Sequence, residues 1–294
     1  MHDFPAVADS AGGGDCRPLA SVVIVTYDHM QALDDNLRAL AAQTVDNFEV
    51  LVVDNNETLD ISALVARYPV RHVKLGKNRG LCAGRNAGVE LARADIVVFL
   101  DDDAIPAADL VEAHVSAFRD NNIYGLRGKS IPKRYSVYNF LAAHYDLGDD
   151  IAACCINLEA NCSFNKRVLS ELGGFNPNLK GGGGHEGLEL TFKGVKKYGD
   201  KGKFVYYPKA VVYHDYASSF SKYFIKQLRH ARNEALLEYE HPGMFDFIRR
   251  YPSRPAPRSG LSRQARLHLE AARLATKAAA AIVMIGFGIK ARLR

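Results

Sequence analysis

Short, continuous apolar runs alternate with helical periodicity in the first part of the chain. The runs lie at residues 20–26, 48–53, 71–75 and 95–100, and each has the length and character of a strand buried on both faces. Apolar residues between the runs recur every three or four positions, as Leu33, Leu37 and Leu40 do, which predicts helices at 34–42, 61–67, 82–93 and 107–121. This alternation is typical of a parallel sheet built from right-handed βαβ units.

The pattern becomes less regular after residue 121. It predicts strand-like structure within 151–164, helices at 166–172, 186–198 and 220–239, and final strands at 204–207 and 210–213. Four consecutive glycines at 181–184 predict a mobile loop before the helix at 186. We therefore expect residues 18–245 to form one α/β domain, with a mostly parallel central sheet flanked by helices.

The segments on either side of this domain have a different composition. Residues 1–17 are glycine-rich with little apolar periodicity, which predicts a disordered leader, and residues 246–260 have the Pro, Ser and Gly content of a linker. Residues 261–294 predict a basic amphipathic helix whose apolar run at 278–289 is too short to span a bilayer. Such a helix either lies on an anionic membrane surface or docks on the protein.

Charge and cysteine content indicate the partners and the cellular compartment of the protein. The chain carries a net charge of +5, but residues 246–294 hold eleven Lys or Arg against two Asp or Glu, a net +9. This asymmetry favours an anionic membrane surface as partner, and we expect no nucleic-acid partner. Five irregularly spaced cysteines and the absence of a signal-peptide pattern predict a reduced, cytoplasmic protein, peripheral at the inner face of the membrane.

Three adjacent carboxylates, Asp101, Asp102 and Asp103, end the fourth strand. Ligands of open α/β sheets bind at the carboxyl ends of the strands, and neighbouring acids need a counter-charge there. A hard divalent cation that bridges to phosphate oxygens supplies one. The alternative is a solvated acidic loop that caps the following helix.

Several motifs stand in the order and spacing of the family 2 glycosyltransferases, which the chain resembles over residues 20–240. They are VVIVTY at 22–27, VVDNN at 52–56, NRGLCAGRNAG at 78–88, VFLDDD at 98–103, LGGFN at 172–176 and HEGLEL at 185–190, followed by His214. The resemblance implies the GT-A fold and the inverting transfer of a hexosyl or N-acetylhexosaminyl group from a nucleotide sugar, with UDP favoured. The acceptor would be a glycan, glycolipid or peptide, in glycan, polysaccharide or glycolipid biosynthesis.

The resemblance also assigns residues to the donor. Thr26 and Tyr27 would frame the base, although a strand that simply ends in Thr-Tyr is an alternative. Asp54 would accept a hydrogen bond from the base or ribose, unless it is only a turn-forming residue. The nucleotide would further be contacted by Arg79, Arg85, Asn86, Asp101 and Asp102. A Mn²⁺ or Mg²⁺ ion would be held by Asp101, Asp103 and His214, and the imidazole favours Mn²⁺.

The catalytic base departs from the family pattern. Relatives carry Glu-Asp at this point and the Asp is the base, but this chain reads Glu186-Gly187. Glu186, or Glu189 three residues later, is the predicted replacement; acids at a helix N-terminus are also favoured by the helix dipole alone. A catalytically silent nucleotide-sugar-binding protein is therefore one alternative. A sugar nucleotidyltransferase is another, but residues 26–30 lack the Gly-rich basic loop expected of one.

Overall fold

A computed structural model describes residues 8–9, 17–142, 144–179, 184–199, 203–250 and 261–292. The strands are Ala8–Asp9 (β1), Ser21–Thr26 (β2), Glu49–Asp54 (β3), Arg71–Lys74 (β4), Ile96–Asp101 (β5), Ile105–Pro106 (β6), Gly125–Ile131 (β7), Ala152–Ala153 (β8), Asn161–Asn165 (β9) and Phe204–Tyr213 (β10). The helices are Met30–Leu40 (α1), Ser62–Val65 (α2), Leu81–Leu91 (α3), Leu110–Asn121 (α4), Lys166–Glu171 (α5), Glu186–Tyr198 (α6), Phe220–Glu240 (α7), Met244–Ile248 (α8) and Arg263–Arg292 (α9). A 3-10 helix covers Val137–Leu141.

The strands form one mixed sheet in the order β1-β4-β3-β2-β5-β9-β7-β10-β6, with β8 paired to β10. The four strands predicted from the first part of the sequence, β2 to β5, pair in parallel as expected. β9 then inserts antiparallel between β5 and β7, and β7 pairs in parallel with β10. The architecture is the predicted α/β sheet with helices on both faces.

Successive residues of the central strands supply two separate cores. Val23 and Val53 face α3, α5 and α6, whereas Ile24 and Val52 face α1, α2 and α4. All four are fully or almost fully buried. Continuous apolar runs were needed because both faces of each strand are covered.

Helix α3 lies unusually close to the sheet. A Cβ built on Gly84 would lie 2.7 Å from a methyl carbon of Val25, and one on Gly88 would lie 2.3 Å from a methyl carbon of Val23. The glycines of the NRGLCAGRNAG motif therefore bring this helix, and the arginine it carries, against the carboxyl ends of β2 and β5.

The strand β7 is absent from the sequence prediction because its sequence, GLRGKSI, is neither alternating nor continuously apolar. Arg127 within it is fully buried, and its guanidinium donates to Asn157 Oδ1 at 2.6 Å and to backbone carbonyls. A Cβ on Gly128 would lie 2.1 Å from the carbonyl oxygen of Ala210 on the neighbouring strand. Only contacts with distant segments make this polar stretch a strand.

The chain outside 18–245 is partly described. β1 pairs antiparallel with β4, so a short strand lies inside the predicted leader, while residues 1–7 and 10–16 lie outside the described residues. α8 occupies the start of the predicted 246–260 linker, and residues 251–260 lie outside the described range, as do glycines 181–183 of the predicted loop.

The C-terminal helix α9 packs against the rest of the molecule along its first half. Leu261, Leu269 and Ala272 are buried in one cluster with Tyr138 and Tyr223. The hydroxyl of Tyr138 also lies 2.6 Å from His268 Nε2. Docking, one of the two alternatives for this segment, is therefore present. Among the described helices none is long and apolar enough to cross a membrane.

Candidate functional site

The predicted metal ligands meet at the carboxyl ends of β5 and β10. One ligand atom from each of Asp101, Asp103 and His214 lies within 4.8 Å of the others. His214 Nε2 is 3.3 Å from Asp103 Oδ1, and His214 Nδ1 is 3.0 Å from the hydroxyl of Tyr145. The bond to Tyr145 fixes the ring and turns Nε2 toward the carboxylates, as a partner beyond the ligands does in metal sites.

The electrostatics of this group suit a cation. Burial favours the neutral acid, but the hydrogen bond to His214 and the charges of His214 and Lys133 lower the pKa of Asp103 to about 2. Asp103 is therefore a carboxylate at any physiological pH. Two carboxylates with an imidazole form a donor set that holds Mn²⁺, and Mg²⁺ less readily.

Arg85 on α3 places a buried positive charge beside these acids. Its Nη2 donates to Asp101 Oδ1 at 3.1 Å, and its guanidinium lies 5.4 Å from the centre of the Phe175 ring. Burial lowers the pKa of Arg85, but the charges of Asp101, Glu186 and Glu159 outweigh it and raise it. Within the described residues, its buried Nη1 has no hydrogen-bond partner, so it is available to an anion such as a phosphate.

The last residue of β2, Thr26, contacts Asp102, the second acid of the DDD motif. Thr26 Oγ1 donates to Asp102 Oδ2 at 2.8 Å, and His29 Nδ1 is 3.1 Å from Asp102 Oδ1. The hydrogen bond that the His29 ring donates to Asp102, opposed by partial burial, raises the pKa of His29. Asp102 is therefore engaged by residues at the end of β2 and just before α1. Tyr27 is exposed, so its side chain is accessible to a ligand.

Asp54, predicted to contact the base, is buried and fully engaged by protein groups. Its Oδ1 accepts from the backbone and side chain of Asn56, and its Oδ2 lies 2.9 Å from His72 Nε2. Burial alone would raise its pKa, but these hydrogen bonds lower it. This is the turn-forming arrangement that was the alternative for Asp54. Arg79 is exposed nearby, and its backbone N–H donates to Asn55 Oδ1 at 2.8 Å.

Asn86, also predicted at the donor, is held by the fold. Its Oδ1 accepts from the backbone N–H of Phe175 and its Nδ2 donates to the carbonyl of Phe175, each at 2.8 Å. Gly174, with a φ of 68°, brings that backbone so close that a Cβ would lie 2.7 Å from Asn86 Oδ1. The amide of Asn86 therefore anchors the LGGFN motif to α3, which places Phe175 under Arg85.

The two glutamates of α6 occupy different environments. Glu186 is buried; its Oε2 accepts from the backbone N–H of Gly184 at 2.7 Å, while its Oε1 has no partner among the described residues. Glu189 is also buried, but it is bonded to His241 Nε2 at 3.0 Å and lies 3.8 Å from Lys193 Nζ. Within the described residues, the structure therefore leaves Glu186 Oε1 without a partner, whereas Glu189 is paired with His241 after α7 and with Lys193 on α6.

The structure adds residues that the sequence did not identify. Tyr145, which orients His214, lies in a segment without recognisable periodicity. Lys226 on α7 is partly buried, with its Nζ 4.1 Å from the centre of the Tyr216 ring. Burial lowers the pKa of Lys226 against the opposing effect of Asp101, Asp103 and two glutamates. Glu159 is a buried acid of the same region, and its position between Leu158 and Ala160 in an apolar stretch was the sequence signal for it.

Comparisons of sequence and of structure relate this chain to known proteins. Residues 21–229 match the model of the family described as Glycosyl transferase family 2. The chain is 35% identical over 124 residues to the uncharacterized glycosyltransferase YfnE of Bacillus subtilis, which covers 40% of this chain and 32% of YfnE. It is 26% identical over 145 residues to WfgD of Escherichia coli, a UDP-Glc:alpha-D-GlcNAc-diphosphoundecaprenol beta-1,3-glucosyltransferase, with 44% of this chain and 57% of WfgD covered. The match thus spans about a third of the length of YfnE and just over half of the length of WfgD.

A solved structure shows the same fold. The mannosyltransferase PcManGT from Pyrobaculum calidifontis, in complex with GDP-Man and Mn²⁺, superposes with a TM-score of 0.59 over 97% of this chain and 83% of its own. The two sequences are 20% identical. The predicted GT-A arrangement is confirmed by this likeness.

Proposed function

The chain belongs to glycosyl transferase family 2, and on that premise we propose that it transfers a hexosyl or N-acetylhexosaminyl group from a UDP-sugar to an acceptor hydroxyl, with inversion. The observation that carries the proposal is the group formed by Asp101, Asp103 and His214 next to the free N–H of Arg85. A buried polar group without a hydrogen-bond partner is costly, so the unpaired N–H of Arg85 beside these acids favours an anionic ligand such as a phosphate.

The donor set fits a divalent cation, with Mn²⁺ favoured over Mg²⁺ because of the imidazole. When bound, the ion would neutralise charge on the diphosphate leaving group. Arg85 binds and orients that diphosphate through its free N–H, and Tyr27 supports the base from the rim. Partly buried Lys226 on α7 adds a second positive charge near the carboxylates of Asp101 and Asp103.

Of the two glutamates predicted as bases, Glu186 is the one with a free carboxylate oxygen. We assign it to the acceptor hydroxyl, which it holds by accepting a hydrogen bond. Glu189 Oε1 is paired with His241 Nε2 and with Lys193 Nζ, which favours a role in packing α6 against the end of α7. Replacing Glu189 would then act through stability rather than through the reaction itself.

The test of this function is a donor panel. Thermal shift and nucleoside diphosphate release are measured with UDP-glucose, UDP-N-acetylglucosamine, UDP-galactose and GDP-mannose, each with Mn²⁺ and with chelator. We expect one or more UDP-sugars to stabilise the protein only with Mn²⁺ and to release UDP slowly to water. Stabilisation by GDP-mannose alone would correct the donor, and Mn²⁺-dependent binding with no release would favour the silent binding protein.

We propose a lipid-linked glycan as the acceptor, and the exposed part of the C-terminal helix is the structural feature that supports this. α9 exposes an apolar face that begins with Leu274, on the solvent side of its docked half, and continues beyond that half with Ile282 (72% exposed) and Ile285 (63% exposed). This helix lies in the segment 246–294, whose net charge is +9. Such a face on a basic helix suits an anionic bilayer surface. The relative WfgD is named for an undecaprenol-linked acceptor, which supports a lipid-linked glycan as acceptor here.

Vesicle binding tests this surface. We expect the chain to bind vesicles of phosphatidylglycerol and phosphatidylcholine, and Ile282→Ser with Ile285→Ser to weaken binding at least tenfold, because each buried isoleucine contributes about 1.5–3 kcal/mol. The measurement is co-sedimentation at low and high salt. Ile151→Ser, which removes an exposed isoleucine of the catalytic domain, is the control. Equal binding by the double variant and the wild type would show that the face of α9 is not the membrane contact.

A further inference from the structure

Gly187, where relatives carry the catalytic Asp, lies in tight contact with a segment distant in sequence. A Cβ at this position would be 2.7 Å from the carbonyl oxygen of Ile156. The contact is held by Thr191, whose Oγ1 accepts from the Ile156 N–H at 3.0 Å and donates to the Gly187 carbonyl at 2.8 Å. Any side chain at position 187 would have to displace backbone, so the carboxylate that the family places there has no room in this chain.

A different carboxylate occupies that place. Glu159 Oε1 accepts a hydrogen bond from the Gly187 N–H at 2.8 Å and would lie 3.2 Å from a Cβ on Gly187. A side chain projecting from position 187 would therefore run into the Glu159 carboxylate. Glu159 lies in the loop just before β9. The same loop contains Ile156, whose carbonyl oxygen leaves no room for a side chain at position 187.

The surroundings of Glu159 are those of an acid poised to take up a proton. Burial first, and then the negative charge of Glu186, raise its pKa to about 7, against the opposing charge of Arg85. Its charged and titratable neighbours lie on every element around it: Arg85 and Cys82 on α3, Arg127 on β7, Cys162 on β9, Glu186 on α6 and Lys226 on α7. Arg85 connects it to the diphosphate side of the site, since the same guanidinium bonds Asp101.

We propose that Glu159 is the general base of this enzyme, supplying from the β9 side the carboxylate that Gly187 lacks. The assignment rests on the proposed function. The Glu159 carboxylate takes the proton of the acceptor hydroxyl while that oxygen forms a bond to the anomeric carbon. The bond from this carbon to the diphosphate oxygen breaks, and its electron pair leaves with the nucleoside diphosphate. Glu186 holds the hydroxyl, and Glu159 removes its proton.

A purely structural role is the competing explanation, because a carboxylate that accepts from Gly187 N–H also caps the first turn of α6. Glu159→Gln separates the two roles: the amide oxygen still accepts that hydrogen bond, but the side chain takes up no proton. Glu238→Gln is the matched control. Glu238 Oε1 accepts from the Gly243 N–H at 2.8 Å at the start of α8, outside the candidate site.

The experiment measures UDP release from the active UDP-sugar with water as acceptor, alongside the Mn²⁺-dependent thermal shift caused by UDP. We expect Glu159→Gln to slow release at least about 100-fold, the usual contribution of a general base, with the UDP shift unchanged. Glu238→Gln should match the wild type in both. Glu186→Gln should slow release less than Glu159→Gln does, because the amide oxygen of the substituted side chain still accepts a hydrogen bond from the attacking hydroxyl.

Each outcome decides between the proposals. If Glu159→Gln keeps more than a third of wild-type release, or if it loses the UDP shift together with activity, Glu159 is not the base and the proposed function stands. A 100-fold loss in Glu186→Gln with normal Glu159→Gln would assign the base to Glu186. If the wild type neither binds nor turns over any nucleotide sugar, the proposed function fails and Glu159 with it.

A second readout needs no turnover. Glu159 has a folded pKa near 7 against an ordinary value of 4.5, so folding favours its protonated form. Stability from this group is therefore greatest below about pH 4.5 and declines as the pH rises to about 7. The melting temperature of the wild type should fall relative to that of Glu159→Gln over this interval and stay parallel to it above. Parallel curves throughout would mean that Glu159 is solvated like a surface acid, so that it does not hold the buried position against Gly187 from which the proposal is argued.

Discussion

Replacing Asp103 by Asn is expected to lower nucleoside diphosphate release by about three orders of magnitude and to abolish Mn²⁺-dependent binding of UDP. The substitution keeps the shape of the side chain but removes the charge that faces His214 at 3.3 Å. A metal-ligating charge at a developing diphosphate contributes several kcal/mol to the transition state, and each 1.4 kcal/mol corresponds to a factor of about ten.

The measurements are UDP release from the active UDP-sugar and the thermal shift by UDP with and without Mn²⁺. His214→Ala should weaken both less severely, because two carboxylates remain. Asp95→Asn is the control: Asp95 precedes the same strand, but at its opposite end, where it pairs on the surface with Arg17. If Asp103→Asn retained a tenth of the activity together with Mn²⁺-dependent binding, the cation would have to be held elsewhere.

Ending the chain after residue 260 is expected to destabilise the catalytic domain by about 3–6 kcal/mol. The truncation removes the buried side chains of Leu261 and Leu269, and full burial of each leucine contributes about 1.5–3 kcal/mol. It also uncovers Tyr138 and Tyr223, and Tyr138 loses its contact with His268. The exposed aromatic surface should make the truncated protein prone to aggregation.

Urea unfolding of the full-length and truncated proteins measures this effect. Within the intact chain, Leu269→Ala should cost about 2–5 kcal/mol, whereas Leu274→Ala on the exposed side of the same helix should change stability by less than about 0.5 kcal/mol. The free energy of unfolding would be unchanged by truncation if α9 were a separate module. Activity should fall with stability, because Tyr216 of the same cluster contacts Lys226 and Gln227 on α7.

The sequence left two alternatives for the C-terminal segment, docking on the protein and binding to a membrane surface, and the two halves of α9 fit different ones. Its first half belongs to the domain, since Leu261, Leu269 and Ala272 are buried there. Its second half keeps exposed isoleucines. A helix that is fixed at one end and apolar at the other would hold the candidate site at a constant distance from a membrane surface, which a flexible tail would not do.

The sequence by itself determined the parallel half of the sheet and the position of the acids Asp101, Asp102 and Asp103 at its edge. Strands that are buried on both faces are continuously apolar, so β2, β3 and β5 could be predicted from the local sequence pattern. Parallel strands end at one edge, so the acids after β5 were bound to lie in the ligand crevice. The glycines of α3 were equally legible, because close approach to a sheet excludes a Cβ at Gly84 and Gly88.

The tertiary structure decided what depends on contacts between distant segments. Tyr145 meets His214 across 69 positions, Glu159 meets Gly187 across 28, and Asn86 meets Phe175 across 89. A hydrogen bond between such residues leaves no periodic trace in either segment, because its geometry arises only when the sheet and helices have packed. For the same reason β7, a polar stretch, became a strand, and Glu159, an acid outside every motif, came to lie against the backbone of Gly187.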